Sequence, residues 1–125
     1  MAEGTLITES LRVSATLEGF HMTVRRIHRE EADLSPEQVA HGLSRIWTLI
    51  DISLSDDEAG PFADALSQAL DPFGWYANLQ SDTESLVVFA RRVFRYPRGD
   101  PAGRLAAQSY AREQGVPESQ LDWSA

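Results

Sequence analysis

The chain has 125 residues, 42% of them apolar, and a formal charge of −8 from 19 acidic and 11 basic side chains; it contains no cysteine, and every basic residue is an arginine. That composition excludes a thiolate nucleophile, a cysteine-ligated metal, a disulfide, a Schiff-base lysine and a P-loop lysine together. No window nears the ~20 apolar residues of a membrane helix, and an acidic surface repels phosphate backbones, which argues against nucleic acid.

The length suits a single globular domain over residues 1–125 with one real core. Residues 1–9 carry Glu3 and Glu9 and no basic run, so they are expected to be a flexible lead rather than a signal peptide. From Leu11 to Leu17, apolar and polar residues alternate, as they do again at Phe20, Met22 and Val24. With Glu18-Gly19 between them, the two stretches predict a hairpin. Ser35, Pro36 and Gln38 predict a capped helix start. Val39, Leu43 and Ile46 share one face of that short helix, which Gly42 weakens. Residues 46–54 are β-branched and aromatic and read as a strand, with a continued helix as the alternative. Pro61 is expected to break any helix begun at Asp56, so the next helix is placed over 61–71, with Phe62, Ala65, Leu66, Ala69 and Leu70 on its inner face. A short strand follows from Trp75 to Gln80. Leu86 to Tyr96 reads as a hairpin turning around Ala90-Arg91-Arg92, with one long strand as the alternative. A helix over 100–114 is started by Asp100-Pro101 and stopped by Gly115. Leu121 and Trp123, in the tail from Glu118 to Ala125, are expected to fold back onto the core.

This order predicts an α+β fold, a largely antiparallel sheet packed with two to three helices, in which residues 46–115 can form a ferredoxin-like arrangement. Charge is polarised along the chain: residues 46–90 hold eight acids and no base, whereas residues 91–125 hold six arginines and four acids. The segment GWYANLQSDTESLVVFARRVFRYPRGD and the later GVPESQLDW are similar to stretches of small uncharacterised actinobacterial proteins. The resemblance spans roughly residues 45–123, implies a bacterial cytoplasmic setting and carries no catalytic residues.

Candidate functional residues fall into three groups. Arg91, Arg92, Arg95 and Arg98, with Tyr96 among them, form the basic cluster and could grip a carboxylate or another anion. Tyr96 is expected there as an exposed interface aromatic, and the alternative is internal pairing with the acidic middle of the chain. His21, Trp47, Trp75 and Tyr76 are candidates for an aromatic-lined pocket. His21, His28 and His41 lack ligand spacing, so no metal site and no cofactor are expected. Asp56-Asp57-Glu58 matches the acidic start of a helix better than a cation site, and Arg98-Gly99-Asp100 matches a turn and a cap. These features favour a non-catalytic interaction, regulatory or immunity-type accessory module over an enzyme. Its partner would be another protein or a second copy. A binder or small enzyme taking a small anionic or aromatic ligand is the alternative.

Overall fold

The computed structural model describes residues 1–123. Six strands form one sheet: β1 (Ala2–Ile7), β2 (Thr23–Glu31), β3 (Ile46–Leu54), β4 (Ala77–Gln80), β5 (Glu84–Phe89) and β6 (Arg92–Pro97). The helices are α1 (Pro36–Ala40), α2 (Asp56–Ala69) and α3 (Pro101–Glu113), with 3-10 turns at Thr8–Ser10 and Glu118–Gln120. The strand order is β2-β3-β1-β4-β5-β6, and every neighbouring pair is antiparallel. The fold is α+β, and none of its helices among the described residues is long and apolar enough to cross a membrane.

Because β1 lies antiparallel to both β3 and β4, those two strands run parallel to each other, and α2 is the crossover between them. Phe62 and Leu66 of α2 pack on Leu6, Ile52, Leu54, Leu79, Leu86 and Val88 to make the main core. Successive strand residues point to opposite faces, so Val87 and Phe89 of β5 face the other way. There they meet Ala107 and Ala111 of α3, together with Val116, Leu121 and Trp123. The two long helices thus cover opposite faces. In a ferredoxin-like unit both helices share a face, so the likeness of residues 46–115 ends at the split β-α-β.

Several elements follow their local signals. Ser35 Oγ accepts the Gln38 amide at 3.1 Å while Gln38 Oε1 accepts the Ser35 amide at 3.0 Å, a complete capping box. Asp100 Oδ1 accepts the Ala102 amide at 3.1 Å at the start of α3. The β5–β6 hairpin turns at Ala90-Arg91, where the Arg91 amide donates to the Ser67 carbonyl at 2.9 Å and ties the turn to α2.

Other elements differ from expectation, each for a physical reason. Residues 2–7 are the central strand β1, not a flexible lead: Ala2 and Leu6 are buried, and Gly4 lets the backbone press against Asn78 and Leu79. The Leu11–Val24 hairpin does not form. Ser14 (φ 74) and Gly19 (φ 85) interrupt extended backbone, and Leu11, Leu17, Phe20 and Met22 instead lean on the main core from an irregular strap. Phe20 meets Phe62 edge-on, ring centroids 5.3 Å apart. Helix α1 ends at Ala40, with Gln38 its buried residue and Val39 exposed, and Ile46, also exposed, instead begins β3. Helix α2 starts at Asp56 and runs through Pro61. The missing N–H would have served the Asp57 carbonyl, in the exposed first part of the helix where solvent can replace it, and the three acids of the first turn favour the helix dipole. The tail folds back as far as Trp123, which is buried; residues 124–125 of the expected tail lie outside the described residues.

Candidate functional site

Helix α3 and the segment after it cover only the β5–β6 side of their face. Over β4, β1, β3 and β2 that face is left open as a groove of about 860 Å³. Trp47, at the start of β3, and Trp75, just before β4, form its aromatic end. Their rings lie 5.1 Å apart at 50°, and Trp47 Nε1 donates to the Ser44 carbonyl at 2.8 Å. Tyr76 joins this end, packing on Trp123 at 4.9 Å, and its hydroxyl donates to the Gln120 carbonyl. Burial pushes the Tyr76 phenol well above its ordinary range, and Asp122 adds to the shift. Tyr76 is a hydrogen-bond donor here, not an acid near neutral pH.

The floor is polar because β1 and β3 present their non-core faces to it. Thr5 Oγ1 donates to Asp51 Oδ1 at 2.7 Å. Arg26 Nε lies 3.3 Å from Asp51 Oδ2, and Arg25 pairs with Glu3. Asn78 and Gln80 of β4 continue the floor, and Gln120 and Asp122 form the bank under α3. Glu3, Glu30, Asp51 and Asp122 outnumber Arg25 and Arg26, so the groove carries an acidic excess. No histidine lines it. Among the described residues no group of three or more His, Asp or Glu converges as a metal set.

The aromatic candidates Trp47, Trp75 and Tyr76 therefore lie together in the groove, and His21 lies elsewhere. His21 is exposed beside α2, its backbone amide and Nδ1 reaching Glu58 at 3.0 and 2.9 Å. These bonds hold the Glu58 carboxyl below its usual range. His28 sits on β2 beside Glu30 at 3.4 Å, and His41 caps α1 and stacks on Phe73 at 3.6 Å. The three histidines belong to three separate places.

The basic cluster is dispersed. Alternation along β6 sends Arg95 to the α2 face, where Nη2 and Nε hold Glu84 at 2.6 and 2.9 Å. That pair is the internal pairing with the acidic middle, and exposed pairs of this kind contribute about 0–1 kcal/mol. Arg92 goes to the opposite face and lies over Phe94 and Tyr110, 4.6 and 5.0 Å from the ring centroids. Arg91 occupies the turn, and Arg98 Nη1 donates to the Ser81 carbonyl at 3.0 Å. Tyr96 is buried, not exposed: only 5% of it is accessible, and its hydroxyl accepts the Trp123 indole N–H at 3.1 Å. Near the end of β6 this aromatic is covered by α3 at Gly103, which the local run of arginines does not reveal.

One carboxylate with a clear structural role carries no sequence signal. Burial raises the Glu9 carboxyl, but hydrogen bonds from the Thr48 amide (2.5 Å) and hydroxyl (3.0 Å) outweigh it and leave the group below its usual range. A carboxyl lowered in the fold stabilises above its unfolded value and loses that contribution as pH falls through its folded one. Glu9→Gln is expected to cost about 1 kcal/mol at pH 7. The deficit should shrink below about pH 4. Urea titrations of both proteins at the two pH values check the sign, and a deficit equal at both would mean the charge contributes nothing.

No protein-family model, curated protein or solved structure matches this chain.

Proposed function

We propose that the chain is a non-catalytic interaction module of a bacterial cytoplasm, taking a basic segment of a partner protein into the open groove of its sheet. The observation that carries this reading is the groove itself: an uncovered sheet face with a tryptophan end and an excess of carboxylates over arginines. The aromatics supply apolar anchorage of the kind that dominates binding energy at interfaces. The acidic excess, within a chain of charge −8, raises the encounter rate with a basic partner and makes it salt-dependent. The groove's Arg–carboxylate pairs are already satisfied within the fold, which suits a recognition surface better than acid–base chemistry.

The test is a variant carrying Asn78→Arg and Asp122→Arg, which fills the floor and removes acidity from the bank. Native and variant chains are compared as baits in extract from the source cells at low and high salt. The expected outcome is a captured protein that is salt-sensitive and lost from the variant, with the melting temperature within a few degrees of native. An identical captured set for both baits would reject the groove. A low-mass compound seen by native mass spectrometry on the native chain alone would favour the second reading, a small-ligand binder, for which the paired tryptophans are the specific support.

A further inference from the structure

Strand β2 is an edge of the sheet, and all nine of its residues are exposed. Its outer backbone groups have no strand partner among the described residues, and Ile27 is 65% exposed. An edge of this length is a template for another strand unless its side chains forbid one. Its charges forbid most partners and fit one. A bulge separates Val24 from Arg26, so regular pairing geometry begins at Arg26. Around His28 the sequence is antisymmetric in charge, with Arg25 and Arg26 before it and Glu30 and Glu31 after it.

We propose that β2 pairs antiparallel with β2 of a second copy of this chain, about a two-fold axis at His28, joining two six-stranded sheets edge to edge. Residues directly opposite in an antiparallel pair share a face, so a two-fold register centres on a residue, here Ile27, His28 or Arg29. Centring on His28 sets Arg26 opposite Glu30 of the second copy, twice by symmetry, with Arg25 and Glu31 flanking in the same sense. Centring on Ile27 sets Arg25 against Arg29. Centring on Arg29 sets that arginine against itself. Parallel in-register pairing would stack like charges along the whole edge. The intrachain partners of these side chains, Glu3 for Arg25, Asp51 for Arg26, His28 for Glu30 and Arg45 for Glu31, make exposed pairs that can re-form across the axis by side-chain rotation.

The other edge does not compete. β6 carries Arg92 and Arg95 and ends at Pro97, so two-fold self-pairing would bring arginines together and meet a residue without an N–H. Pairing β2 to β6 would match some charges but would not close, giving a filament and not a dimer. Arg25, Arg26 and Glu30 also line the outer side of the groove. The groove test alters Asn78 and Asp122 and reads partner capture, whereas this one reads self-association, so a failure of either reading is told from a failure of the other.

Sedimentation equilibrium of the native chain, with two charge-reversed variants, is the test. One variant carries Arg25→Glu and Arg26→Glu, the other Glu30→Arg and Glu31→Arg. The native chain is expected to form a dimer that weakens with salt. Each variant alone should self-associate at least about tenfold more weakly. Mixing the two should restore a one-to-one heterodimer, which also shows that both have folded. Amide exchange of the native chain supplies a readout free of any substitution: alternate amides over Arg26–Glu30 should slow as concentration rises. A native chain monomeric at all concentrations, a filament, a dimer untouched by the variants, or β2 amides indifferent to concentration would overturn the proposal.

Discussion

Replacing Phe62 with alanine is expected to cost about 3–5 kcal/mol. Phe62 is wholly buried on α2, and it bridges the two parts of the main core. On one side lie the inward residues of the sheet, and on the other is Phe20 of the strap over residues 11–22. The strap has no ladder to hold it beyond the Leu11–Leu70 bridge, so its order depends on such side-chain anchors. Removing the ring opens a cavity and releases Phe20 together. Against a total stability of about 5–15 kcal/mol, the loss is a large fraction. The melting temperature should fall by on the order of 10–20 °C. Urea denaturation measures it directly. A loss under about 1 kcal/mol would mean that the site collapses freely and that α2 is not the element holding the sheet.

Gly103→Ala is the second large effect, and its sign separates two physical arguments. Helix propensity alone favours alanine over glycine inside α3 by about 1 kcal/mol. Packing opposes it: a Cβ at this position would lie 2.4 Å from Tyr96 Cγ and 2.5 Å from Tyr96 Cβ. Neither atom is the free end of a flexible side chain. Tyr96 is held in β6, and its hydroxyl is engaged by Trp123. The helix must therefore move off the sheet, and overpacking of that kind costs about 1–3 kcal/mol or more. The expected result is a less stable protein whose tryptophan fluorescence shifts as the contact of Trp123 with Tyr96 loosens, a shift absent when Trp123 is replaced by Phe. A more stable Gly103→Ala protein would place α3 farther from β6 than the fold requires.

Features written in adjacent residues are legible from the sequence, and features that depend on strand order are not. The capping box at Ser35 and Gln38, the turn at Ala90-Arg91 and the Asp100-Pro101 start of α3 each involve groups a few residues apart, so composition alone locates them. The strand over 46–54 is legible for the same reason, since β-branched residues crowd it. β1 is not, because Gly4 and Thr5 look like linker until Asp51 and Asn78 arrive beside them. The alternation from Leu11 to Leu17 misleads in the opposite direction: periodicity records which side chains seek apolar surroundings, and an irregular strap satisfies that as well as a strand does. At the site, Trp47, Trp75 and Tyr76 stand out as large aromatics. Thr5, Asn78 and Gln120 are ordinary polar residues whose convergence exists only once β1 enters between β3 and β4. The arginine run shows the converse, since pleating sends Arg92 and Arg95 to opposite faces of one strand.

The place of β1 also sets an order of assembly. As the chain emerges during synthesis, β1 precedes both of its neighbours, and its register with β3 is complete only when Leu54 has been made. Its other side waits for Gln80. During that interval the six-residue segment AEGTLI is a strand without a sheet, while β3 can already pair with β2. When the β4-β5-β6 meander forms, it has an unfilled side, and the β2-β3 ribbon has another. One short segment closes both. Joining such distant partners makes closure slow relative to the local hairpins, and until it occurs each half-sheet presents a bare edge to every other nascent copy. Crowded synthesis should therefore favour misassembly of this protein, and a sequence change that slows the closure of β1 would lower yield without altering the finished molecule.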